Sequence, residues 1–292
     1  ASTFPSGYTN GNITLGTTST VSYLADAAMT VSSVPTYGNL KLNPVILAGR
    51  IFTFDGATTI NGDLTIQPGT GANALTVNMG GTITVAAGKT TTITRTTSST
   101  STLDTISGQN YALSTGFLNI ATGGTLTAQN ATITLTGTSG TLFTRVGTFT
   151  EGDSTVTVTS ASGTPTLMSG TATFHILTIN AAATIINAGA AITTDNDAGN
   201  KLYIQSGVFN IEGNAVTPGT NGTLQIDSAG TLCVGGTTGA TNATCDSGAT
   251  QTGATTFPAF TTYTFDAAST VIYLNDVAQT VDATPTYGNL KL

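Results

Sequence analysis

An all-β chain wound as a β-solenoid is the fold class this sequence predicts, with a string of tandem β-sandwiches as the alternative. Three observations predict it. The block at residues 19–42, STVSYLADAAMTVSSVPTYGNLKL, returns at residues 269–292 as STVIYLNDVAQTVDATPTYGNLKL, with roughly 17 of 24 positions identical at an offset of about 250 residues. The rest of the chain is a succession of short runs rich in Thr, Val and Ile, punctuated by Gly, Asn and Pro. No long segment carries apolar residues at the three-and-four spacing of a helix.

The two copies report on packing. Val21 and Tyr23 recur as Val271 and Tyr273, while Ser22 between them becomes Ile272. Ala28 and Thr30 recur as Ala278 and Thr280, while Met29 becomes Gln279. Fixed positions two apart, with a variable one between, are expected of a strand packed on one face. The predicted core is therefore Val21, Tyr23, Leu40, Leu42, Leu64 and Ile66. Lys41 breaks the scheme: it should point outward, yet it recurs as Lys291. Pairing of these lysines with Asp26 and Asp276, or with carboxylates of a neighbouring strand, is the expected reason.

A weaker third copy opens at Ser154-Thr-Val-Thr-Val158 and closes at Thr173-Phe-His-Ile-Leu-Thr-Ile179. The long period thus divides into residues 1–150, a diverged half at 151–267, and the start of a further repeat at 268–292, a copy of 18–42. In order, the strand-like runs are 20–24, 40–42, 51–54, 63–66, 74–77, 82–85, 89–95, 117–120, 131–135 and 155–158. Then come 176–179, 201–204, 208–211, 223–226 and 231–234. Turn pairs such as Asn61-Gly62, Pro68-Gly69, Gly80-Gly81 and Asn221-Gly222 separate them. Runs this short, with one Leu-x-Leu or Leu-x-Ile pair each, suit stacked coils. A sandwich calls for longer strands and a more aromatic core.

Composition narrows the function classes. Only 7% of the 292 residues are charged, against about 25% in an ordinary globular protein. Roughly a fifth of the residues are Thr. The net charge of −7 and the scatter of seven Lys and Arg leave no basic patch for nucleic acid. No apolar run is long enough to be a membrane-spanning helix, and Ala1 opens directly into polar sequence, as a processed mature start or a fragment would. Cys233 and Cys245 bracket a loop of Gly, Thr, Ala and Asn with no His nearby, so a disulfide is expected rather than a metal site. A disulfide would place the chain in an oxidising compartment.

The pattern STVxYxxxxxQTVxxxTYGNLxL, followed by Thr58-Thr-Ile-Asn-Gly-Asp-Leu-Thr-Ile66, Gly81-Thr-Ile-Thr-Val85 and Gly124-Thr-Leu-Thr127, resembles the repeats of large secreted bacterial surface proteins, the β-helical autotransporter- and adhesin-like repeat proteins. The resemblance covers about a third of the chain. It implies a right-handed parallel β-helix, export, and a place at the cell surface.

Candidate chemistry is sparse. Polysaccharide-cleaving β-helices need clustered carboxylates on one face, and the 14 Asp and Glu here are spread along the chain. The sole histidine, His175, stands where the other copies have Gly38 and Gly288, and is expected to be a surface turn residue rather than a catalyst. Asp195-Asn196-Asp197 could offer oxygens to Ca²⁺, with Asp195 and Asp197 as candidate ligands and no other cofactor indicated; a solvated turn is the competing reading. Thr132, Thr134 and Thr136, and again Thr155, Thr157 and Thr159, alternate on one strand face, but the interval between the two runs shows no regular period.

The expected function is a structural or adhesive extracellular fibre, with no enzymatic activity. Its expected partners are copies of itself or further repeats, end to end, and surface glycans. A ligand-binding solenoid with a Thr-rich face, for ice or carbohydrate, is the alternative, and a polysaccharide-active enzyme ranks third. The expected assembly residues are Tyr287, Asn289, Leu290, Lys291 and Leu292, since Leu292 is not expected to be a natural free end.

Overall fold

The computed structural model describes residues 13–235, 240, 241, 245, 256–274 and 278–292. Those residues are all-β, without helix, and their parallel strands stack as a β-solenoid. Parallel pairing removes the sandwich alternative, whose sheets are antiparallel. The chain divides into two compact units, residues 1–134 with 144–154, and residues 135–143 with 155–292.

The first unit is built from three strand ladders. One runs through Thr20–Tyr23, Asn39–Leu42, Leu64–Ile66, Thr90–Ile93 and Phe117–Ile120. A second joins Thr58–Ile60, Ile83–Val85 and Leu113–Thr115. The third joins Met29–Val31, Arg50–Phe54, Ala74–Asn78, Thr100–Asp104, Gly124–Thr127 and Thr148–Thr150. Alternation puts every second residue inside, and stacking turns those residues into continuous files. Leu42, Ile66, Ile93 and Ile120 form one file and are fully buried. Met29, Phe52, Val77, Leu103, Leu126 and Phe149 form another. The predicted core residues all face inward, with Val21 half-buried and the rest buried.

An interior file of the first ladder carries a polar residue. Leu40 faces Leu64, Leu64 faces Thr91, and Thr91 faces Leu118, giving coils of 24, 27 and 27 residues. The buried Thr91 hydroxyl donates to Thr115 Oγ1 at 3.1 Å, and Thr115 donates to the Phe117 carbonyl at 2.9 Å. A buried hydroxyl is tolerated only when its hydrogen bonds are met, so the two threonines come as a pair.

In the second unit Thr155–Val158 pairs with Ile176–Asn187, which reproduces the pairing of Thr20–Tyr23 with Asn39–Leu42. The third copy is therefore a structural copy too. Lys201–Asn210 and Thr223–Val234 follow, then Thr262–Phe265, Thr270–Tyr273 and Asn289–Lys291. Three of these strands have 10 to 12 residues and are longer than the sequence suggests. They run around a corner, with register shifts at Asn180 and before Ser206, so pairs of short runs read as one strand. Inward files here include Val156, Leu177, Leu202, Leu224 and Tyr263, and separately Ile186, Phe209, Leu232, Val271 and Leu290.

Two readings of the repeat are corrected by the packing. Met29 and Val31 point inward and Thr30 outward, the opposite of the phase inferred from the fixed Ala and Thr. Met29 lies opposite Phe52 of the next coil, a burial that Gln279 does not reproduce. Ile272 is buried in a cluster with the two cysteines, whereas its counterpart Ser22 is exposed.

Candidate functional site: the repeated coil and the outward faces

The recurring motif is explained by one hydrogen-bonded ring. The Ser32 amide donates to the Tyr23 hydroxyl at 3.2 Å, and the Tyr37 hydroxyl donates to the Ser32 carbonyl at 2.6 Å. Each phenol has one proton, so the 3.0 Å contact between the two hydroxyls must run from Tyr23 to Tyr37. The ring recurs in the last copy: Asp282 amide to Tyr273, Tyr273 to Tyr287 at 2.9 Å, Tyr287 to the Asp282 carbonyl at 2.8 Å. Gly38 and Gly288 are needed because a Cβ would meet backbone oxygens of the preceding coil at 2.3 Å in both copies. Asn39 donates to the Ser19 carbonyl of the coil before and accepts from the Asp63 amide of the coil after, at 2.9 Å. Asn289 makes the same backward bond, to Ser269 at 3.1 Å. In the third copy Val158 and Phe174 replace the tyrosines, and an edge contact of Phe174 with Phe143 at 6.2 Å fills the corner instead.

Burial, followed by the hydrogen bond with its partner tyrosine, raises the Tyr37 and Tyr287 phenols well above their ordinary value. A raised phenol stabilises the folded state fully below the unfolded value of about 10, and that contribution is lost as pH rises through the folded value. Unfolding should therefore become easier above about pH 10, and Tyr37→Phe should flatten that alkaline slope. The Phe variant should also cost about 1–3 kcal/mol at neutral pH by stranding the Ser32 carbonyl. Denaturant titrations at a series of pH values check both, and an identical slope in the variant would remove Tyr37 from the account.

Cys233 and Cys245 are bonded to each other, with Cα atoms 6.3 Å apart. They form the centre of a second apolar cluster, with Ile185, Val208, Ala240 and Ile272, and Leu274 packed against it. Cys233 is opposite Ile272 and Asn210 in the ladder. Under Ala240 and the disulfide, Asn210 donates to Asn187 at 2.8 Å and Asn187 to the Ala240 carbonyl at 3.3 Å. This covering turns an outward position into a buried one, which is why Ser22 becomes Ile272. Replacing both cysteines by Ser should lower stability by roughly 3 kcal/mol in the chain-entropy model. Denaturation of the pair of proteins checks the size, and equal midpoints would mean that the loop holds without its bond.

His175 is not a surface residue. It is buried, and its Nδ1 lies 3.0 Å from Asp195 Oδ2. Asp195 Oδ1 accepts from the Asp197 amide at 3.1 Å, while Asn196 Oδ1 accepts from Thr220 at 2.9 Å. The Asp195–Asp197 loop is thus held by protein donors, with Asp197 exposed, and no group of three or more His, Cys, Asp or Glu able to hold a metal occurs among the described residues. Asp26 is bonded to Arg50 at 2.7 Å rather than to Lys41. Lys41 stands between Ser22 and Thr65 in an outward file, and Asp276 lies outside the described residues.

Leu40 and Leu42 are 1% and 0% exposed and lie opposite Leu64 and Ile66 of the next coil. Their counterparts Leu290 and Leu292 are 40% and 85% exposed. Tyr287 is half-buried, and Asn289 and Lys291 are exposed.

On the first unit, one ladder carries two outward files across five strands. Ile51, Thr76, Thr102, Thr125 and Thr148 form one, and Thr53, Asn78, Asp104, Thr127 and Thr150 the other. Seven of the ten are threonine. The second of the runs singled out in the sequence opens a mixed file: Thr157 is followed by Thr178, Tyr203, Gln225 and Thr264.

Comparison with protein-family models, with curated proteins and with solved structures finds no significant match in any of the three.

Proposed function

We propose that this chain is a structural and adhesive module of an extracellular β-solenoid fibre at a bacterial cell surface, assembled end to end and without catalytic activity. One observation carries the reading: the coil of residues 19–42 recurs at 269–292, with the hydrogen-bonded ring of Tyr23, Tyr37 and Ser32 rebuilt by Tyr273, Tyr287 and Asp282. Leu40 and Leu42 lie under the coil that brings Leu64 and Ile66, so one coil stacks directly on the next. A repeated unit that stacks through aliphatic files and strand hydrogen bonds suits growth along one axis. The disulfide, the low charge and the resemblance of the TYGNLKL block to secreted surface repeats support the extracellular setting. Electron microscopy of the native material, with the intact mass of the chain, tests it: fibres are expected, and discrete 29.2 kDa particles would sink the proposal.

The threonine plane of the first unit favours a second reading, a binding face for an ordered ligand. Its side chains repeat at about 4.8 Å between coils and roughly 6.6 Å along each strand. Methyl and hydroxyl groups alternate there without an aromatic ring, which suits ice or its ordered water better than sugar. Inhibition of ice recrystallisation should be measurable and should be lost in Thr102→Lys with Thr125→Lys. A wild-type protein without effect on ice growth would dispose of this reading.

A further inference from the structure

We propose that the outward face of the second unit around Tyr203 is a binding site for a neutral polysaccharide. Tyr203 lies on Lys201–Asn210, directly opposite Gln225 on the next strand. Its hydroxyl donates to Asp227 Oδ2. Gln225 Nε2 donates to Asp227 Oδ1 at 3.0 Å, and Lys201 Nζ donates to Gln225 Oε1 at 3.1 Å. The same ammonium sits 5.6 Å from the centre of the Tyr203 ring.

Three consequences follow. A phenol tied at its tip to a carboxylate one coil further on cannot stand away from the sheet, so its ring lies across the strands. The Gln225 amide has a single orientation, oxygen to Lys201 and nitrogen to Asp227, and the whole quartet is preorganised. Lys201 keeps further N–H groups, and Asp227 keeps lone pairs, for a ligand. All four side chains are partly exposed, while the alternating Leu202, Ile204, Leu224 and Ile226 are fully buried beneath them. A rigid aromatic platform, flanked by fixed donors and acceptors, is complementary to a pyranose ring, which has an apolar C–H face and a hydroxyl rim. The ligand is neutral because the chain carries a net charge of −7, which repels a polyanion, while Lys201 and Asp227 balance each other locally.

This site gives the adhesive part of the proposed function its ligand and rests on that reading for its setting, but its chemistry is local to the second unit. Fibre formation and sugar binding can therefore fail separately. The test is native gel electrophoresis of the whole chain in gels containing soluble β-glucan, galactomannan or polygalacturonate, with a pull-down on insoluble chitin. Wild type should be retained by at least one neutral polysaccharide and not by polygalacturonate. Tyr203→Ala should weaken that retention about tenfold, and Tyr203→Phe, which keeps the ring, by no more than about threefold. Both variants lose the bond to Asp227, so a mere clamp between coils would make them alike in stability and leave wild type unretained. No retention on any neutral polysaccharide, equal retention of Tyr203→Ala and wild type, or stronger retention on polygalacturonate would each overturn the proposal.

Discussion

Replacing Leu40 and Leu42 together by aspartate should unfold the coil they belong to. The two side chains are 1% and 0% exposed and meet Leu64 and Ile66 of the next coil. Full burial of an aliphatic side chain is worth about 1.5–3 kcal/mol. Losing two such burials, and forcing two carboxylates into an apolar seam, would cost about 5 kcal/mol or more. At about 1.4 kcal/mol per tenfold, that is more than three decades in the folding equilibrium. Urea denaturation of wild type and variant, followed by circular dichroism, measures it. Equal midpoints would mean that the two leucines are not packed between coils.

Phe209→Ala should destabilise the second unit by about 3–5 kcal/mol, a large loss for a single substitution. Phe209 is fully buried between Ile186 and Leu232 in an inward file. In a solenoid each coil touches only its neighbours, so the cavity weakens two interfaces at once. Thr264→Ala, on an exposed outward position, should stay within about 0.5 kcal/mol of wild type. Urea denaturation of the three proteins supplies the comparison. A Phe209→Ala loss no larger than that of Thr264→Ala would mean that the file is not a packed core.

Two groups of charged side chains in this protein tie one coil to the next. With 7% of residues charged, the clusters that do occur are conspicuous. The Arg50–Asp26 pair clips successive coils of the first unit, and the Lys201–Gln225–Asp227 chain links two strands of the second. The Tyr203 hydroxyl bond to Asp227, with a smaller part from burial, pushes that phenol up to about 12, so it stays protonated and donating at any physiological pH.

The sequence by itself determined the fold class, the repeat and most of the core. Those features are local or self-referring: a side-chain period of two is visible within four residues, and a copied block is visible against its copy. Leu40, Leu42, Leu64 and Ile66 could be placed inside on that basis alone. Only the tertiary structure decided which distant residues share a face. Coils of 21, 25, 22 and 39 residues separate Val156, Leu177, Leu202, Leu224 and Tyr263, so no fixed interval marks their alignment. The threonine plane was hidden for this reason, as were the Tyr203 platform and the pairing of His175 with Asp195. The burial of Ile272 was hidden by a different cause, the packing of Ala240 and the disulfide-bonded Cys245 against a strand face that alternation alone assigns to solvent. Hydrogen bonding between parallel strands sets the register, and the loops absorb the differences in length; neither leaves a periodic trace in the chain.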